Sequence, residues 1–94
     1  MQIQDPEGRL FTLYDEVEEE WMWEVRNEPH TFMSGADQPD LQTVSVCYVQ
    51  CRWEDLFTDV VSRMSAKLDF PLWVLDSDGN VWSADAIDPD RLVL

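Results

Sequence analysis

Trp53-Glu-Asp-Leu-Phe-Thr-Asp-Val-Val-Ser-Arg-Met-Ser-Ala-Lys-Leu68 is the stretch on which the fold turns. Its apolar residues fall at Trp53, Leu56, Phe57, Val60, Val61, Met64 and Leu68. That spacing marks one face of a helix repeated over four turns. Glu54 and Asp55 lie in the first turn and Arg63 and Lys67 near the end, which suits the helix dipole. Pro71 follows where a helix has to have stopped.

Upstream, Thr43 to Cys51 alternates, with Val44, Val46 and Tyr48 on one side and Ser45, Cys47, Val49 and Cys51 on the other. Period two in β-rich composition predicts a strand, and apolar residues on both faces predict a central one. Downstream, Leu72-Trp-Val-Leu75, Asp76-Ser-Asp-Gly-Asn80 and Val81-Trp82 read as a hairpin, with Asp-Gly supplying the positive φ of its turn. Pro89 marks a further turn, and Arg91 to Leu94 reads as a short final strand. At the other end, Asp5-Pro-Glu-Gly8 is a turn with Pro at its second position, joining Gln2–Gln4 to Arg9–Thr12.

Leu13 to Asn27 admits two readings. Leu10, Leu13, Tyr14, Val17, Trp21 and Val25 fit a helical face, whereas Trp21, Trp23 and Val25 also alternate as a strand would. Leu, Met and three consecutive Glu favour the helix, and Glu28-Pro29 closes it. Residues 29–42, with two Pro, one Gly and no periodicity, read as a loop. Strands and helices do not alternate in βαβ fashion. The expected fold is α+β, one domain over 1–94, with a mostly antiparallel sheet and about two helices on one face.

Composition narrows the function classes. The 94 residues carry 20 acids against 6 bases, a formal net charge of −14. Apolar residues make up 45% and include five Trp, enough to build a core despite the charge. The longest apolar runs are four residues, far short of the ~20 of a membrane helix. The first residues have no basic or apolar stretch of a signal peptide, and a cytosolic setting is expected from Cys47 and Cys51 read as reduced thiols. Binding of nucleic acid or of an anionic membrane needs a basic patch, and no segment has one.

Chemistry is sparse. Cys47 and Cys51, on a strand, would lie about 13 Å apart, beyond disulfide reach. They read as reduced thiols packed as small apolar groups. With His30 they supply three ligands where zinc takes four. A Cys–His nucleophile pair finds nothing to bring His30 to either thiol. Asp76-Ser-Asp-Gly-Asn80 resembles the start of a calcium loop, but Gly79 comes fourth rather than sixth and the twelfth residue is Ile87, not Glu. No phosphate loop or hydrolase motif is present. The expectation is a protein without enzymatic activity, cofactor or metal.

The acids are concentrated instead. Residues 15–28 hold Asp15, Glu16, Glu18, Glu19, Glu20, Glu24 and Glu28 against Arg26 alone. Residues 76–90 hold Asp76, Asp78, Asp85, Asp88 and Asp90 and no base. Fourteen helical residues span about 21 Å, one charge per ~3 Å, close to the ~3.4 Å per phosphate along one DNA strand. Trp23 falls opposite the apolar face, near Glu16, Glu19 and Glu20; an exposed Trp suits a binding hot spot, while on a strand it would point inward with Trp21.

Salt adaptation would also raise the acid count, but five Trp and large core residues fit it poorly. Solubility alone needs less charge than −14. The expected function is therefore a non-enzymatic inhibitor that mimics nucleic acid and blocks a basic nucleic-acid-binding protein, of the anti-restriction, anti-CRISPR or nuclease-immunity type, such as phages carry. Its expected contact residues are Asp15, Glu16, Glu19, Glu20, Trp23, Glu24, Asp76, Asp78, Asp85 and Asp88. The alternative is a small adaptor whose acidic, Trp-bearing helix docks one basic partner without mimicking DNA.

Overall fold

A computed structural model of the chain describes residues 1–33 and 39–94. Its elements run β1 (Gln2–Gln4), β2 (Leu10–Tyr14), α1 (Glu19–Asn27), β3 (Thr31–Phe32), β4 (Tyr48–Cys51), α2 (Glu54–Lys67), β5 (Trp73–Leu75) and β6 (Asn80–Ser83). The fold is α+β, with two helices and mostly antiparallel pairing. The strands form two three-stranded sheets rather than one: β1-β2-β4, antiparallel throughout, and β3-β6-β5, in which β3 joins β6 in parallel.

The helix at Trp53–Leu68 forms as its spacing requires. Trp53 is its extended N-cap residue and Leu68 its C-cap. Leu56, Phe57, Val60 and Val61 are buried, each contributing about 1.5–3 kcal/mol relative to exposure. They join Phe11 of β2, Val74 of β5 and Trp82 of β6 in one cluster with Ala84 and Leu92, so α2 belongs to the core of both sheets. Phe11 and Phe57 meet at 5.8 Å between ring centres. Arg9, just before β2, ties the first hairpin to α2: its Nε donates to Asp5 at 2.6 Å and its Nη1 to Asp55 at 3.0 Å. Burial raises the Asp5 pKa, but the hydrogen bonds and charge of Arg9 outweigh it and hold the carboxyl below the usual range. Hydrogen bonding to Arg9 also lowers Asp55, and the guanidinium is shifted up in turn.

Both hairpins fold as expected. Gly8 (φ 84°) and Gly79 (φ 80°) take the left-handed conformation that closes their turns.

Four readings are corrected. The strand expected over Thr43–Cys51 shrinks to β4 and lies at the sheet edge; β2 is central. The carbonyls of Gln42 and Val44 are taken by Arg26 of α1 instead of a sheet ladder. The helix expected from Leu13 starts at Glu19, because Leu13 and Tyr14 pair with Val49 and Tyr48 in the first sheet. Arg91–Leu94 is not a strand, though Val93 bonds back to Ser77 and Asp76. The segment read as a loop over 29–42 contains β3; its residues 34–38 lie outside the described residues. Only α2 is built into the core, whereas α1 has no buried residue.

Candidate functional site

The acids at the start of α1 suit the helix dipole, with Glu19 and Glu20 in the first turn and Arg26 in the last. The helix ends where Pro29 forces the preceding Glu28 into extended backbone (ψ 149°). Met22 and Val25 on the inner side are half-buried. The helix is held mainly by polar latches. Arg26 Nη1 donates to Gln42 O at 2.7 Å, Gln42 Nε2 donates to Arg26 O at 2.6 Å, and His30 Nε2 donates to Val25 O at 2.9 Å. The one base of the acidic run is thus turned inward onto backbone carbonyls.

The outer side of α1 brings together Glu19, Glu20, Trp23, Glu24 and Glu28 around a shallow recess of about 500 Å³. Trp23 is 58% exposed, which settles the helix-or-strand alternative in favour of an outward indole. Among the described residues, the ion pairs are Arg9 with Asp5, Glu7 and Asp55, and Arg63 with Asp59. None reaches an acid of residues 15–28. From Glu18 to Glu28 five carboxylates span about 15 Å of helix axis, one per ~3 Å, so the phosphate-like density survives the shortening of the helix.

The expected strip is nevertheless divided. Asp15 and Glu16 precede the helix and do not share the face of Glu19 and Glu20. With Glu18 they border a second recess of about 540 Å³. Its floor is aromatic. Tyr14 and Tyr48 are directly opposed across β2 and β4 and stack at 5.8 Å, and Trp21 meets Tyr48 at 4.6 Å. This trio was hidden in the sequence: Tyr14 and Trp21 read as one helical face, and only the register of two distant strands reveals Tyr48 between them.

The second acidic run does not form a strip. Asp76 is buried, and its carboxylate accepts from the backbone N–H groups of Asp78, Asn80 and Val93, from Asn80 Nδ2 and from the indole of Trp82 at 3.0 Å. It closes the β5–β6 turn and anchors the tail; it is not available to a partner, which corrects its place among the contact residues. Burial raises its pKa, but these hydrogen bonds, led by the Trp82 indole, outweigh that and hold it below the usual carboxylate range. Asp88 is half-buried and shapes the next turn by accepting from Asp90 N. Asp78 and Asp85 are exposed. The segment after α1 joins the second hairpin, where Thr31 N donates to Gly79 O at 2.9 Å and the turn lies near Pro29 and His30.

Cys51 ends β4 half-buried, with Sγ 3.6 Å from Trp53 O, while Cys47 is exposed before the strand rather than packed on it. Both thiols are free. Among the described residues, no three His, Cys, Asp or Glu side chains are grouped to hold a metal, and no helix is long and apolar enough to cross a membrane. Searches against family models, curated proteins and solved structures find no match, so the site stands on its own residues.

Proposed function

We propose that this protein is a non-enzymatic decoy that occupies the nucleic-acid-binding surface of a basic protein. The observation that carries the reading is the outer face of α1: four carboxylates at phosphate-like spacing around an exposed Trp23, none of them neutralised by an ion pair among the described residues. Such a face attracts a cationic groove over long range and releases the counterions held there, as a nucleic acid does. The indole adds apolar area that desolvates on contact and slows dissociation. The class proposed is an inhibitor of a restriction or CRISPR complex or the immunity partner of a nuclease.

The adaptor reading is favoured by one observation, the exposed aromatic trio Tyr14–Tyr48–Trp21, which phosphate mimicry does not require. Competition separates the two. With a captured basic partner, duplex DNA and this protein are expected to exclude each other, and binding is expected to weaken steeply with salt. Trp23→Ala is expected to speed dissociation while leaving the salt slope nearly unchanged. A ternary complex with DNA at unchanged affinity overturns the decoy and leaves the adaptor.

A further inference from the structure

We infer that the recess between β2, β4 and the start of α1 is a receptor for a single arginine side chain projecting from a basic protein partner. Tyr14, Trp21 and Tyr48 form its floor and Asp15, Glu16 and Glu18 its rim. The Tyr48 ring meets both Tyr14 and Trp21, yet Tyr14, Trp21 and Tyr48 remain 45%, 38% and 36% exposed. Three large aromatic side chains clustered at the surface beside carboxylates offer contact area to another group. The chemistry around them states which group. Among the described residues no base lines the recess, and the cation of α1, Arg26, is committed to Gln42 and Val44. Ring faces are negative, so a cation above them is attracted by their quadrupoles while the rim carboxylates attract its charge.

A guanidinium fits better than an ammonium. It is planar, stacks on a ring, and keeps donors free at its edge for a carboxylate. A second copy of this chain is disfavoured as the occupant, since two bodies of charge −14 repel. The arginine receptor differs from the α1 outer face in its residues. It rests on the proposed function only in taking the guanidinium from a basic protein.

The test uses the full chain labelled with ¹⁵N, with the indole N–H signals of its tryptophans assigned by substitution. The probe is a capped Gly-Arg-Gly peptide, beside its lysine analogue and its citrulline analogue, which has nearly the shape of arginine without the charge. The Trp21 signal is expected to shift saturably with the arginine peptide, more weakly with lysine and hardly with citrulline. Tyr48→Phe is expected to keep the response. Tyr48→Leu, and separately Asp15→Asn with Glu16→Gln and Glu18→Gln, are expected to weaken it by roughly five- to tenfold. Circular dichroism confirms that each variant folds, and the carboxamide variant serves if Tyr48→Leu does not.

An equal response to citrulline, a non-saturating drift of all indoles together, or a Trp21 signal that moves with protein concentration alone overturns the receptor. Failure of the decoy reads differently: Glu19→Gln with Glu20→Gln and Glu24→Gln then leaves partner binding intact, while the Trp21 response to the peptide persists.

Discussion

The two helices start alike and end up as opposites. Both begin with a pair of acids, both carry a base in the last turn, and neither has a side-chain hydrogen bond at its N-cap. Yet α2 buries four apolar side chains and α1 buries none. In α2 the apolar residues recur along fourteen residues, so one continuous stripe faces the core of both sheets. In α1 only nine residues are helical, and Trp21, Met22 and Val25 make a stripe too short to enter that core. It rests on the rim, held by Arg26, Gln42 and His30 and by the Trp21–Tyr48 contact. A helix whose stability is not spent on burial is free to present its outer side, and there the carboxylates and Trp23 lie. The helix proposed to meet a partner is thus the one the core does not need.

Substitutions can break that contrast, and the largest effect is expected in α2. Phe57→Asp or Val60→Asp puts an unpaired charge into the shared core and is expected to leave the domain unfolded at 25 °C, read by loss of near-ultraviolet dichroism. Glu54→Gln is expected to change little. Comparable tolerance at Phe57 and Glu54 would dissolve the distinction between the helices.

Next comes the buried carboxylate beneath the second hairpin. In Asp76→Asn the amide keeps one acceptor oxygen but turns its NH₂ toward donors from Trp82, Asn80 or Val93. The expected loss is about 2–4 kcal/mol at neutral pH in urea denaturation. Because the folded-state pKa of Asp76 is depressed, its contribution is present in full above the ordinary carboxylate range. It is lost as pH falls through the folded value. The gap between wild type and variant is therefore expected to narrow below about pH 4. A gap that widens there would reverse the assigned sign.

A smaller effect is expected at the latch of α1. Arg26→Ala removes the bonds to Gln42 and Val44 and is expected to cost about 1 kcal/mol or less globally. Amide exchange is expected to quicken across Glu19–Asn27 and not across Glu54–Lys67, since a peripheral element opens without the rest. Equal acceleration in both helices would make α1 part of the core unit.

Smallest for stability is the outer face itself. Glu19→Gln with Glu20→Gln and Glu24→Gln is expected to leave Tm unchanged or slightly raised, because like charges near one another on a helix repel. On a basic partner the same variant is expected to bind about tenfold or more weakly and to lose up to about three from the slope of log affinity against log salt. Unchanged partner binding would remove the functional half of the contrast between the helices.

Much of this was legible locally. The apolar spacing from Trp53 to Leu68 required a long amphipathic helix, and the Asp-Gly and Pro-Glu-Gly turns required two hairpins. These features depend on a residue and its near neighbours, which is the information a sequence displays directly. Tertiary structure decided the rest. Asp76 and Asp78 are two residues apart and look equivalent, but donors from Trp82 and Val93 converge on Asp76 alone and take it out of the acidic surface. Leu13 and Tyr14 suit a helix until pairing with Val49 and Tyr48 draws them into β2. The aromatic floor exists only because that same register sets Tyr48 between Tyr14 and Trp21. In each case the deciding interaction joins residues distant along the chain, so the energy that settles it is absent from any local window.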